Sequence, residues 1–205
     1  LASMLGNVDL LAAFGNDPAR RRETITALQR TGRHVSRLLD DLLLLAQAEA
    51  GWHLASFESV AIDDLLMEVF EAAALTTRNV VLKLERCEPA WVRGDPGRLR
   101  QVFMNLIDNA VKYSLPGGEV TISLFNTNCK IQVIVSDHGS GIPEELLPLI
   151  FEPFFRAPTG KRIPGTGLGL AIARWIVREH GGDVNIRSES NKGTTVALTL
   201  PAITD

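Results

Sequence analysis

Only two cysteines occur in the 205 residues, Cys87 and Cys129, far apart and outside any metal-binding spacing. Their scarcity excludes a disulfide-stapled fold and a cysteine-based zinc site, and fits core or strand thiols in a reducing cytosol. Long apolar runs are missing too: no unbroken stretch exceeds five residues, Leu42 to Ala46 being one, far short of a bilayer span. There is no basic excess either. The formal charge is −3, which argues against nucleic acid as the main partner, since that demands a clustered basic surface. No charged leader with an apolar core opens the chain, because Leu1 enters an amphipathic pattern directly. Natural chains seldom begin in mid-helix, so further residues are expected upstream. What remains is an ordinary globular composition, 45% apolar and 22% charged, of a length suited to one medium domain with a smaller element, or two small domains.

Leu1, Met4, Leu5, Val8, Leu11 and Ala12 recur at helical spacing and predict a first helix, stopped by Gly15 to Pro18. Asp17 before Pro18 is a cap followed by a first helical position, and predicts a second helix to about Ala50, with Gly51 ending it. Within it Leu28, Val35 and Leu42 interleave with Thr31, Leu38 and Leu45 as a heptad seam. The apolar run Leu38, Leu39 and Leu42 to Leu45 is wider than a two-helix seam requires, so two hairpins pairing as a four-helix bundle, a homodimer, are expected. The alternative packs the hairpin on its own chain.

After Gly51 the period changes. Strands are predicted near Phe57–Val60, Val80–Leu84, Glu119–Phe125, Lys130–Ser136, Asp183–Ser188 and Thr194–Leu200, with helices at Ile62–Leu75, Arg98–Tyr113 and Leu168–His180. The fold class is α+β: a helical hairpin over residues 1–52, then over residues 53–205 an α/β sandwich of one mixed sheet covered by helices.

Three stretches carry chemistry. On the helix ending NLIDNAVKYS, Asn105, Asn109 and Lys112 share a face beside the buried stripe of Val102, Phe103, Leu106, Ile107 and Ala110. Two asparagines in mid-helix weaken it and point to a ligand. Amide oxygens suit Mg2+, and an ammonium suits phosphate; a single buried Asn satisfying a backbone group is the plainer reading. In SDHGSGIP, Asp137 ends an apolar strand, and Gly139 and Gly141 let the backbone turn closely under a ligand. Asp137 either accepts a hydrogen bond from an exocyclic amine such as that of adenine, or closes an Asx turn. In GTGLGL, Gly165, Gly167 and Gly169 precede a helix. Leu170 breaks the dinucleotide fingerprint, and no Gly-Lys-Ser/Thr follows for a P-loop. A glycine-rich helix start still gathers N–H groups at one point, which favours an anion. The preceding Glu152–Pro164, rich in proline and carrying Arg156, Lys161 and Arg162, reads as a mobile lid or a plain solvated loop.

NLIDNAVKYS, SDHGSGIP, IFEPFFRAP and GTGLGL, in that order, with KGTTVALTLP at the end, resemble the motifs of the catalytic domain of bacterial sensor histidine kinases. The resemblance covers about two thirds of the chain and is highly specific as an ordered set. It implies the Bergerat (GHKL) ATP-binding fold shared with Hsp90, MutL and gyrase, and the first fifty residues are similar to the family's dimerisation and phosphoacceptor hairpin. The acceptor histidine is then expected just upstream of Leu1, so the chain is expected to bind ATP without phosphorylating itself. His34, His53, His138 and His180 are read as structural or solvated.

Carried over position by position, the resemblance implies that Asp137 bonds the adenine amine, with Thr194 or Thr195 nearby through water. It implies that Asn109 ligates Mg2+ with Asn105 beside it. Lys112 and Arg156 would neutralise phosphate charge, and Tyr113 would line the nucleotide. The resemblance further implies Gly139, Gly141, Ile142 and Phe151 as ATP-binding positions. Gly165, Thr166, Gly167, Leu168, Gly169 and Leu170 close the lid and aim helix amides at the phosphates. Related ATPases carry a water-activating glutamate where Asn105 stands, so transfer to histidine is expected over hydrolysis. Implied partners are a second copy of the chain and a response-regulator receiver domain, in the cytoplasm, without membrane contact by this stretch.

Overall fold

The computed structural model describes residues 17–54, 56–127, 129–157 and 165–203. The chain divides into two compact units, Leu1–Gly51 and Trp52–Asp205, where sequence reading put the boundary one residue later. In the first unit the described helix is α1 (Pro18–Glu49). The Asp17 side chain accepts from Ala19 N and Arg20 N at 2.9 and 3.3 Å, which satisfies two donors that the first turn leaves unpaired. Gly51, at φ +73°, follows its C-cap as expected. The expected first helix, over Leu1 to Ala12, lies outside the described residues.

The second unit runs β1 (Glu58–Ala61), α2 (Ile62–Thr76), β2 (Val81–Cys87), β3 (Trp91–Gly94), α3 (Pro96–Tyr113), β4 (Glu119–Asn126), β5 (Lys130–Asp137), a 3-10 turn (Glu144–Leu149), α4 (Gly169–Glu179), β6 (Asp183–Glu189) and β7 (Gly193–Pro201). Five strands form one mixed sheet in the order β2-β4-β5-β7-β6, parallel only between β2 and β4. α3 lies on the crossover between those two parallel strands. β1 and β3 pair separately as an antiparallel ribbon.

Alternation in β5 and β7 turns Ile131, Val133, Val135, Val196, Leu198 and Leu200 to a buried face. The predicted stripe of α3 is buried in full, and α4 buries Ala171, Ile172, Ala173, Ile176 and Val177. Burial of such side chains contributes about 1.5–3 kcal/mol each for the larger ones, which holds the helices to the sheet. Among the described residues no helix is long and apolar enough to cross a membrane.

Most predicted boundaries shift by one to three residues, and one strand is new. α3 begins at Pro96, two residues before the expected Arg98, because Asp95 accepts from Arg98 N at 3.0 Å and caps the helix. β3 was not expected at all: four residues are too few for an alternation to stand out.

Candidate functional site

α3, the end of β5 and the start of α4 converge at one end of the sandwich. From α3, Asn105 donates its amide nitrogen to the Gly169 carbonyl at 3.1 Å, which ties the asparagine-bearing face to the first residue of α4 across 64 positions of sequence. That bond also orients the Asn105 amide, leaving its oxygen as the group able to meet a cation. Asn109 follows one turn along, half-buried. Lys112 lies a further turn on and pairs with Asp108 at 3.5 Å, an exposed contact worth little by itself. Tyr113 ends the helix, and its carbonyl accepts Ser140 N at 3.3 Å, so the turn after β5 seats on the last turn of α3.

Asp137 closes β5 with 8% exposure. Its carboxylate accepts Gly139 N at 2.8 Å, the Asx turn that sequence reading set beside the ligand role. Burial pushes its pKa above the ordinary 3.8, against the pull of the Gly139 and Thr194 N–H groups and the charge of His138. A buried carboxylate with one local donor keeps acceptor capacity for an amine. Gly141 (φ +62°) makes the next bend, where a Cβ would stand 1.9 Å from the Glu189 carbonyl oxygen. Ile142 N then donates to Ser188 Oγ at 2.8 Å.

At the other end, α4 has no side-chain cap: Leu168 precedes it, buried, and Thr166 Oγ1 accepts only Leu168 N, at 3.2 Å. Asp17 and Asp95 cap α1 and α3, whereas α4, like α2, has no side-chain cap, and it is the start of α4 that adjoins Asn105. Gly167 (φ +76°) accepts Phe154 N at 3.0 Å and packs so closely on Phe154 that a Cβ would meet its backbone at 2.7 Å. Among the described residues nothing stands within 4 Å of where a Cβ on Gly165 would lie, so none of them requires glycine there. Leu170 is half-buried in the first turn of α4. Phe151 lies under the Arg174 guanidinium, 4.7 Å from its ring centroid, an arrangement that the sequence pattern did not signal. Arg156 is exposed, and the expected lid residues Lys161 and Arg162 lie outside the described residues.

The two expected threonines face opposite ways. Thr194 stands opposite Asp137 and shares its buried-side face, whereas Thr195 points to the other face and bonds Ser136 Oγ at 2.9 Å. A hollow of about 590 Å³ at this end of the sheet is bordered by both threonines and by Asp137, with Thr121, Arg187 and Ser188. Strand alternation puts adjacent threonines on opposite faces, so of the two only Thr194 shares the face of Asp137. Sequence reading also missed Ser188, near the end of β6, and Gly193, the first residue of β7. The only signal was the glycine itself.

Among the described residues no group of three His, Cys, Asp or Glu could hold a metal. The donors that fit are the neutral amide oxygens of Asn109 and Asn105, which suits Mg2+ bound chiefly through a nucleotide's phosphates and water. Of the histidines, His180 is buried, as the structural reading had it: its Nε2 accepts Asp95 N at 3.0 Å and its Nδ1 meets the Ile176 carbonyl at 2.7 Å. His53 is exposed and pairs with Glu179.

Residues 94–204 match the family of histidine kinase-, DNA gyrase B- and HSP90-like ATPases. The chain is 35% identical over 196 residues to the circadian input-output histidine kinase CikA of Synechococcus elongatus, covering 92% of this chain and 26% of that protein. It is 33% identical over 205 residues to the sensor protein DivL of Caulobacter vibrioides, covering 98% and 26%. The chain spans about a quarter to a half of the length of the curated relatives it matches. Among solved structures, the mycobacterial sensor histidine kinase MprB aligns at 30% identity and TM-score 0.67, over 72% of this chain and all of that one. Full-length ShkA in complex with AMPPNP aligns at 27% identity and TM-score 0.76, over 99% of this chain and 43% of that one. The chain belongs to the sensor histidine kinases and carries their ATP-binding domain of the kinase, gyrase B and HSP90 type.

Proposed function

We propose that this chain is the kinase core of a two-component sensor: it binds Mg·ATP and passes the γ-phosphoryl group to a histidine, then to an aspartate of a response-regulator receiver domain. The observation that carries the reading is the Asn105–Gly169 bond, which brings a ligand-bearing helix face against an uncapped helix start. In this reading the Asp137 carboxylate accepts the adenine amine, and the first amides of α4 meet the phosphates. Asn109 and Asn105 hold Mg2+, which neutralises phosphate charge when bound. Lys112 turns from Asp108 to the phosphates. Phosphoryl transfer depends mainly on such positioning and charge neutralisation. The neutral imidazole nitrogen attacks phosphorus, the bond to the ADP oxygen breaks, and the imidazole loses its proton to water. Asn105 is no general base, so attack by water lacks an activator.

The exposed leucines of α1 support a homodimer, and the soluble chemistry of ATP and receiver domains supports a cytoplasmic site of action. Titration with a fluorescent ATP analogue tests the nucleotide site. Binding is expected in the range of about 1 μM–1 mM, and Asp137→Asn is expected to weaken it about tenfold or more. Equal binding by parent and variant, or none by either, sinks the assignment. A longer chain reaching upstream is expected to take an acid-labile phosphate from ATP; an acid-stable one points to serine or threonine chemistry.

A further inference from the structure

Ser188 stands in β6 opposite Thr194, on the face that also carries Asp137. Its hydroxyl lies where three segments meet. It donates its one proton to the Gly193 carbonyl at 2.8 Å and accepts Ile142 N at 2.8 Å. Thr194 Oγ1, at 2.9 Å, is therefore the donor in the third bond. One proton given and two lone pairs filled is the full capacity of a hydroxyl.

The three partners surround Asp137. Ile142 closes the turn that Asp137 opens, and Thr194 faces Asp137 across the sheet, where its backbone N–H favours the carboxylate. Beyond Ser188, the turn is joined to the β6–β7 connection by Asn191 N donating to the Ser140 carbonyl at 2.7 Å, with Gly141 packed flush on Glu189. The turn that leaves the sheet after Asp137 is thus tied in its middle by backbone bonds at Ser140 and at its far end, Ile142, by the Ser188 hydroxyl. A carboxylate tells an amine from a carbonyl only where it is held, since repulsion and attraction both decay as the group swings away.

We propose that Ser188 is a positioning residue for base selection, holding the Asp137 turn against the start of β7 so that the site prefers a 6-amino over a 6-oxo purine. The inference rests on Asp137 reading the adenine amine, as proposed above. The test compares ATP with ITP, which has a carbonyl where ATP has the amine. The parent is expected to prefer ATP by about tenfold or more, and Ser188→Ala to lower that ratio several-fold, to about twofold or less. Ser188→Thr, which keeps the hydroxyl, is expected to restore it. An unchanged ratio in Ser188→Ala overturns the role of Ser188 while leaving the adenine reading intact; a parent that does not distinguish ATP from ITP overturns both. Should Ser188→Ala not fold, Ser188→Cys keeps the shape with weaker hydrogen bonding, and the parent's ratio in that variant overturns the proposal. In the parent, the Ile142 amide is expected to exchange as slowly as the amides of β5, and free-loop exchange counts against it.

Discussion

Asp137 is held where its charge is disfavoured: burial pushes the carboxyl above its ordinary pKa, and two backbone N–H groups only partly offset this. The folded protein therefore takes up a proton before the unfolded chain does. As pH falls through the raised value toward 3.8, Asp137's contribution to stability increases, while the ionised acceptor that the adenine amine needs is lost. Asp137→Asn, which keeps an oxygen for Gly139 N, is expected to leave the ligand-free protein as stable as the parent or more so at pH 7, yet to lose nucleotide. Thermal melts with and without ATP between pH 7 and 4 check both halves. The glycines divide in the same physical way. Gly141→Ala places a Cβ 1.9 Å from a carbonyl oxygen at φ +62°, and is expected to cost about 1–3 kcal/mol or more. Gly165→Ala meets no described residue within 4 Å and is expected to stay within about 0.5 kcal/mol in urea denaturation. Composition made all these glycines look alike; their neighbours, distant in sequence, separate them.

Among the elements, α3 carries the two asparagines and is fixed at its start by Asp95 and His180. Asp95→Ala removes the cap on Arg98 N and is expected to cost about 0.5–2 kcal/mol. His180 accepts Asp95 N, stacks on Phe57 with ring centroids 4.6 Å apart, and lies near Asp95 and Glu179, the latter paired with His53. Burial holds its imidazole below the ordinary 6.5, against the Ile176 carbonyl and those two carboxylates. Its contribution is complete above pH 6.5. Below that, the unfolded chain binds a proton that the folded one refuses, so stability declines until the lowered value is passed. Urea midpoints between pH 7 and 5 are expected to fall, with a shallower slope in His180→Gln; equal slopes refute this assignment. Asp95–Pro96 is the same pair that marked α1 at Asp17–Pro18, yet sequence reading passed over it and began α3 at Arg98. The bond from His180 was not legible, because its partner is 85 positions away.

At the scale of the whole molecule, α1 leaves Leu39 at 62%, Leu42 at 42% and Leu43 at 60% exposure, an apolar strip on a helix of 32 residues. Two copies pairing through it would cover that strip, which is the expectation drawn from the wide apolar run of Leu38, Leu39 and Leu42 to Leu45. The parent is expected to sediment as a dimer, and Leu39→Glu with Leu43→Glu as a monomer. A monomeric parent overturns the pairing.

Helix stripes, caps, the mixed sheet and the ordered motifs were determined by the sequence alone, because each depends on residues a few positions apart and on a period of two or about four. Strand order decided the rest. Only the pairing of β5 with β7 sets Asp137 against Thr194 and turns Thr195 away, and only the pairing of β6 with β7 brings Ser188 to Ile142. Only the packing of α3 against α4 joins Asn105 to Gly169. Contacts across 46 to 64 positions carry no local signature; they exist because the buried faces, once packed, leave those groups within hydrogen-bonding reach.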